Sequence, residues 1–187
     1  GIGPVLVIEA SNFPFAFGAI GGDCASALAA GCPVVCKSHP GHPGTSEMFA
    51  RILYGLADEF QIPKSIYSLL HGGAAECQKI VEHPFLRGIG FTGSRTAGFS
   101  ILAKAYERER PLDEISLEMG SVNPIFFYTG AFKERPQERA EMVARSVLLG
   151  GGQFCTNPGI LIGPFSTEGS EFVTHLSSII EQAELPV

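Results

Sequence analysis

Short apolar runs of strand length alternate with helical patterns along the first two thirds of this chain, and that alternation limits its folds more than any other feature. The runs are Val5–Ile8, then residues 33–36, 66–70, 88–91 and 115–117. Between them, Phe49, Ile52, Leu53, Leu56 and Phe60 recur at helical spacing, as do Phe99, Leu102, Ala103 and Tyr106. Strands separated by helices predict a parallel sheet covered on both faces, the Rossmann-like doubly wound α/β class. Ligands of such sheets bind beyond the carboxyl ends of the strands. Asn12, Lys37, Gly93 and Glu118 each follow a strand closely and belong on that rim. After Glu118 the texture changes. A bulky strand over 123–128, a helix over 137–149, a glycine run, a strand at Ile160–Ile162 and a last helix through Phe172, Leu176, Ile179 and Ile180 read as the beginning of a second α/β domain. The expected division is 1–118 and 119–187.

A chain of 187 residues with 45% apolar content can bury a real core. Its net charge of −6 and scattered Lys and Arg provide no basic stripe, so nucleic acid is not an expected partner. No apolar run approaches a membrane span, and the start lacks a signal-peptide pattern. Cys24, Cys32, Cys36, Cys77 and Cys155 form no C-x-x-C pair, which speaks against a disulfide framework and against a zinc site. A reducing, cytoplasmic setting is expected, and no metal. A strand that starts almost at Gly1, without a methionine before it, suggests an internal piece of a longer protein.

Taken singly, the polar residues on the rim have ordinary explanations. Cys155 sits in Gly150-Gly151-Gly152-Gln153-Phe154-Cys155-Thr156-Asn157-Pro158-Gly159, where glycines let a substrate approach a thiol, yet free cysteines are commonly buried and inert. Gly93 and Ser94 open a helix and offer N–H groups and a hydroxyl to a pyrophosphate, or are a plain N-cap. Lys37 ends a strand ahead of Ser38-His39-Pro40-Gly41-His42-Pro43, reaching a ribose or only solvent. Glu118, beside Met119-Gly120, is a general base or an exposed carboxylate. Asn12, in Ser11-Asn12-Phe13-Pro14, is an oxyanion donor or a turn residue before proline.

Their order is more telling. Asn12 in an N-F-P turn, Lys37 after a V-V-x strand, F-T-G-S at 91–94, L-E-x-G at 117–120 and G-Q-x-C at 152–155 together resemble the aldehyde dehydrogenase superfamily over essentially the whole chain. The segments 37–46 and 152–156 resemble the branch holding α-ketoglutarate semialdehyde (2,5-dioxovalerate) and long-chain fatty aldehyde dehydrogenases. The resemblance implies that Cys155 is the nucleophile, that Asn12 and the Cys155 N–H hold the oxyanion, and that Glu118 activates the water that hydrolyses a thioester. It assigns Lys37 to the adenosine ribose, places His39 among the cofactor-binding residues, and assigns Gly93 and Ser94 to the pyrophosphate. Pro40 replaces a glutamate common in NAD-preferring members, which leans the cofactor toward NADP over NAD. The implied substrate is a small aldehyde and the implied parent a homo-oligomer. Ser11 stands where many relatives carry tryptophan, and Phe154 adds a ring beside the nucleophile. Family members are much longer, so the chain is expected to carry catalytic residues without a complete site. The rival readings are a cysteine hydrolase pairing Cys155 with a histidine, a CoA-acylating dehydrogenase, and a nucleotide-binding module with an incidental cysteine.

Overall fold

The computed structural model describes residues 1–184; residues 185–187, which the sequence places after the last helix, lie outside the described residues. The chain divides into two compact units, Gly1–Gly120 and Ser121–Val187. In the first, β1 (Val5–Ile8), β2 (Val34–Lys37), β3 (Tyr67–Leu70), β4 (Gly88–Thr92) and β5 (Glu114–Glu118) alternate with α1 (Gly22–Ala29), α2 (Pro43–Glu59), α3 (Ala74–Val81) and α4 (Arg95–Tyr106), plus a 3-10 turn at Lys64–Ile66. All five strands are parallel in the order β3-β2-β1-β4-β5.

Alternation of side chains along β1 builds two cores. Leu6 and Ile8 face Cys77 and Val81 of α3 and Ile101 and Ala105 of α4. Val7 faces the opposite layer, with Cys24 of α1, Ala50 of α2 and Tyr67. Burial on both faces explains why these strands read as continuous apolar runs rather than alternating ones. On the α1 side, the glycines of β4 leave a cleft of about 540 Å³ lined by Val7, Asp23, Gly88, Gly90 and Ser116, among others. Burial, with Glu118 adding to it, holds the Asp23 carboxyl above its ordinary value.

Sequence and structure differ by a residue or two at most strand ends. β2 starts at Val34 because Pro33 has no N–H for the ladder, and it runs on to Lys37, paired with Ile8 and Leu70. Helices α1 and α3 carry small or short apolar faces, so no strong stripe announces them.

In the second unit, β6 (Pro124–Phe126) and β7 (Ile160–Ile162) form a parallel pair. Around it lie α5 (Thr129–Lys133), α6 (Pro136–Leu148), a 3-10 turn at Leu149–Gly152 and α7 (Thr167–Glu181). Its core is Phe132, Ala140, Val143, Ala144, Phe172 and Leu176. β6 is shorter than the expected 123–128 because Asn123 turns left-handed, with φ +44°.

Candidate functional site

In the first unit, the residues singled out in the sequence lie at the carboxyl edge of the sheet. Strand order reverses direction between β1 and β4, and at such a switch point the two loops diverge and leave a crevice for ligands. The loop after β1 carries Asn12. Ala10 N donates to Phe17 O at 3.1 Å and Phe17 N to Phe13 O at 3.0 Å, while the Phe13 and Phe17 rings meet edge-to-face at 5.5 Å. Gly18 closes this turn because a Cβ there would fall on the Pro14 carbonyl oxygen. Asn12 is half-buried at its entrance.

The loop after β2 carries Lys37, Ser38 and His39. Lys37 is buried, at 7% exposure, rather than a solvated strand end, and no carboxylate pairs with it among the described residues. Ser38 is turned inward, 2% exposed, with its hydroxyl 2.6 Å from His71 Nδ1. His71 Nε2 in turn lies 3.4 Å from Glu47. This serine–histidine–carboxylate chain has no room for a substrate at Ser38 and serves to hold the loop. His39 titrates below its ordinary value, chiefly because burial disfavours the cation and then because Lys37 and His42 repel it, with Glu9 opposing. Its Nδ1 accepts the Gly41 N–H at 3.0 Å, which leaves the proton on Nε2. His39 therefore offers a neutral N–H donor at this edge.

The loop after β4 is the one place where the structure redistributes the expected donors. Gly93 N is not free: it donates to Glu118 O at 3.0 Å, tying this loop to the end of β5. A Cβ at Gly93 would come within 2.6 Å of the Phe91 ring, so packing dictates the glycine. Ser94 is the N-cap of α4, its hydroxyl accepting from Ala97 N at 3.2 Å. Among the described residues, the amides of Arg95 and Thr96 that open α4 have no partner, and both residues are exposed. A lysine, a neutral histidine N–H and open helix amides form a donor set suited to ribose and phosphate oxygens. Glu118 is exposed at the end of β5.

In the second unit, α6 ends at Leu148 and the chain leaves through Gly150, Gly151 and Gly152 at φ +61°, +66° and +73°. Three successive left-handed residues are accessible to glycine and costly for others. They deliver Cys155 to a half-buried position, whereas Cys24, Cys32, Cys36 and Cys77 are buried. Asn123, which the sequence reading placed in a strand, cinches this loop. Its Nδ2 lies 2.6 Å from Cys155 O, 2.9 Å from Asn157 O and 2.8 Å from Ser121 Oγ, and the Ser121 hydroxyl also donates to Cys155 O. Asn157 Nδ2 donates to Val147 O at 3.2 Å and Gly152 O at 3.1 Å. Thus a backbone carbonyl is fixed and the thiol is left to other partners. His175 of this unit makes no hydrogen bond to Cys155, and its buried Nε2 has no partner among the described residues.

No cluster of metal-ligating side chains occurs among the described residues, and none of the described helices is long and apolar enough to cross a membrane. Asn157 carried a signal in the sequence, a C-T-N-P-G turn; Asn123 carried none.

Comparison with known proteins adds the context. The family model described as "Aldehyde dehydrogenase family" matches residues 1–181. The chain is 44% identical over 163 residues to an alpha-ketoglutaric semialdehyde dehydrogenase 2 of Azospirillum brasilense, covering 87% of this chain and 31% of that protein. It is 40% identical over 176 residues to an alpha-ketoglutaric semialdehyde dehydrogenase of Acinetobacter baylyi, covering 94% of this chain and 33% of that one. A crystal structure of an aldehyde dehydrogenase from Bartonella henselae superposes with a TM-score of 0.77 at 26% identity, over 98% of this chain and 36% of that chain. The chain spans about a third of the length of these relatives.

Proposed function

This chain belongs to the aldehyde dehydrogenase family, and from that premise we propose that it supplies the nucleotide-binding part and the nucleophile of an NAD(P)-dependent enzyme oxidising an aldehyde to a carboxylate. The observation that carries the proposal is Cys155, a half-buried cysteine that follows a left-handed glycine run and whose carbonyl is held by Asn123, whereas the other four cysteines are buried. The Cys155 thiolate attacks the aldehyde carbon, forming the C–S bond of a thiohemiacetal, and the Asn12 amide with the Cys155 N–H receives the oxyanion. NAD(P)+, held by Lys37, His39 and the amides opening α4, would supply the hydride acceptor that oxidation of this adduct to a thioester requires. Glu118 then takes a proton from water; the hydroxide adds to the thioester carbon, the C–S bond breaks, and the carboxylate leaves with the thiol restored.

Lys37 and His39 bind the adenosine ribose and the amides opening α4, next to Gly93 and Ser94, receive the pyrophosphate. Pro40 leaves no carboxylate at its position to repel a 2′-phosphate, which favours NADP. The names of the two curated relatives favour 2,5-dioxovalerate as substrate, giving 2-oxoglutarate. The test is to assay the full-length protein with 2,5-dioxovalerate and with fatty aldehydes, against NADP and NAD. Turnover is expected with dioxovalerate and NADP, lost in Cys155→Ser. Glu118→Gln is expected to form reduced nucleotide once and then stall, lowering steady turnover about 10²–10⁴-fold. Unchanged turnover in Cys155→Ser sinks the proposal.

A further inference from the structure

Glu9 follows β1 directly, and its side chain is wholly shielded from solvent. A carboxylate taken out of water must be met by donors. Three meet this one. Cys36 Sγ donates to Oε1 at 3.3 Å, while the Ser46 hydroxyl at 2.6 Å and the His39 backbone N–H at 3.0 Å both donate to Oε2. His42 stands beside them, its Nδ1 3.6 Å from Oε2 and its Nε2 donating to Ala10 O at 2.7 Å. One buried carboxylate therefore joins the end of β1, the β2 core, the loop 38–42 and the first turn of α2. The same cluster reaches Ala10, two residues before Asn12.

The bond to His39 is the informative one. Ser38 N is held by Leu70 O at 2.8 Å, but His39 N has no backbone acceptor among the described residues and donates to Glu9. We propose that Glu9 is a positioning residue for the nucleotide: without touching it, Glu9 fixes the backbone between Lys37 and Pro40 so that Lys37 and the ring Nε2–H of His39 face the adenosine ribose together. This rests on the reading of Lys37 and His39 as ribose contacts. Position matters here more than charge. Glutamine keeps one oxygen where Oε2 lies and can still accept from His39 and Ser46. Aspartate keeps the charge but withdraws it by one methylene.

Titration of the full-length protein with NADP and with NAD, alongside steady-state kinetics, separates the possibilities. Glu9→Asp is expected to raise the dinucleotide Kd and KM about tenfold, with kcat and the aldehyde KM within about twofold of wild type, whereas Glu9→Gln stays within about threefold throughout. If Glu9→Asp does not fold, Ser46→Ala takes its place; it removes a donor that holds Oε2, and about a threefold rise in the dinucleotide Kd is expected. Binding by Glu9→Asp (or by its substitute) equal to wild type overturns the proposal, as does a loss in which kcat and both KM values change together with the folded fraction. Wild type that binds neither dinucleotide overturns the functional reading, and this inference with it. Wild type that binds while the Glu9 variants show no selective effect overturns this inference alone.

Discussion

One amide nitrogen of Asn123 faces three acceptors, two of them carbonyls of the cysteine loop. Removing it leaves those carbonyls to water or to a rearranged backbone, each lost bond worth roughly 1 kcal/mol. In Asn123→Ala the loop is expected to sample other positions, so that alkylation of Cys155 by iodoacetamide changes rate and kcat falls about tenfold or more, because small misplacement of a reacting group is costly. Normal kcat and normal alkylation in Asn123→Ala would show that the bonds are incidental. The other thiols give a second expectation. Burial pushes Cys77 up, and neighbouring Cys24 together with burial pushes Cys36 far up. Neither is an available thiolate near neutral pH. Peptide mapping after brief alkylation of the native protein should find the label on Cys155 first. Label on Cys36 or Cys77 before Cys155 would contradict the burial described here.

Elements were legible where burial is two-sided. The runs of β1 and β4 are shielded on both faces, so residues 5–8 and 88–91 are apolar and the limits of both strands are legible to within a residue. The Glu9 cluster was not legible. A glutamate after an apolar run looks like a solvated strand end, and only the fold brings Cys36, His39 and Ser46 around it from 27 to 37 residues away. Lys37 was half legible: its place at the rim follows from the strand, its burial does not. The partner of the Gly93 amide was not legible either, because the glycine answers to the Phe91 ring and to Glu118 O. At this scale the turn carrying Asn12 offers a test. Gly18→Ala drives a methyl group onto a backbone carbonyl, and overpacking of this kind costs about 1–3 kcal/mol. A lower melting temperature is expected, together with a loss of turnover larger than the folded fraction explains. A melting temperature equal to wild type would mean that the turn yields freely.

The two units differ in how completely each closes its own core. The first has a five-stranded sheet with helices on both faces. The second has a two-stranded sheet with Phe126, Ile160 and Ile162 exposed and Phe165 fully so. Two strands with an uncovered apolar face are marginal in water. Residues 1–120 made alone are expected to melt in one cooperative transition by circular dichroism. Residues 121–187 alone are expected to melt gradually and to bind a hydrophobic dye. A sharp transition in the second piece would show that its helices α6 and α7 suffice.

The placing of β1 has a consequence for how the protein is made. Val5 pairs with Val34 on one side and with Gly88 on the other. Of the two neighbours of β1, the ribosome therefore releases β2 soon after it and β4 much later. Until β4 and α4 emerge, Leu6 and Ile8 lack Ile101 and Ala105 of the layer that covers them, and one edge of β1 stays open to any passing strand. Non-local parallel pairing of this kind folds slowly and leaves sticky intermediates. Yield should therefore depend on how fast β4 follows β1 during synthesis.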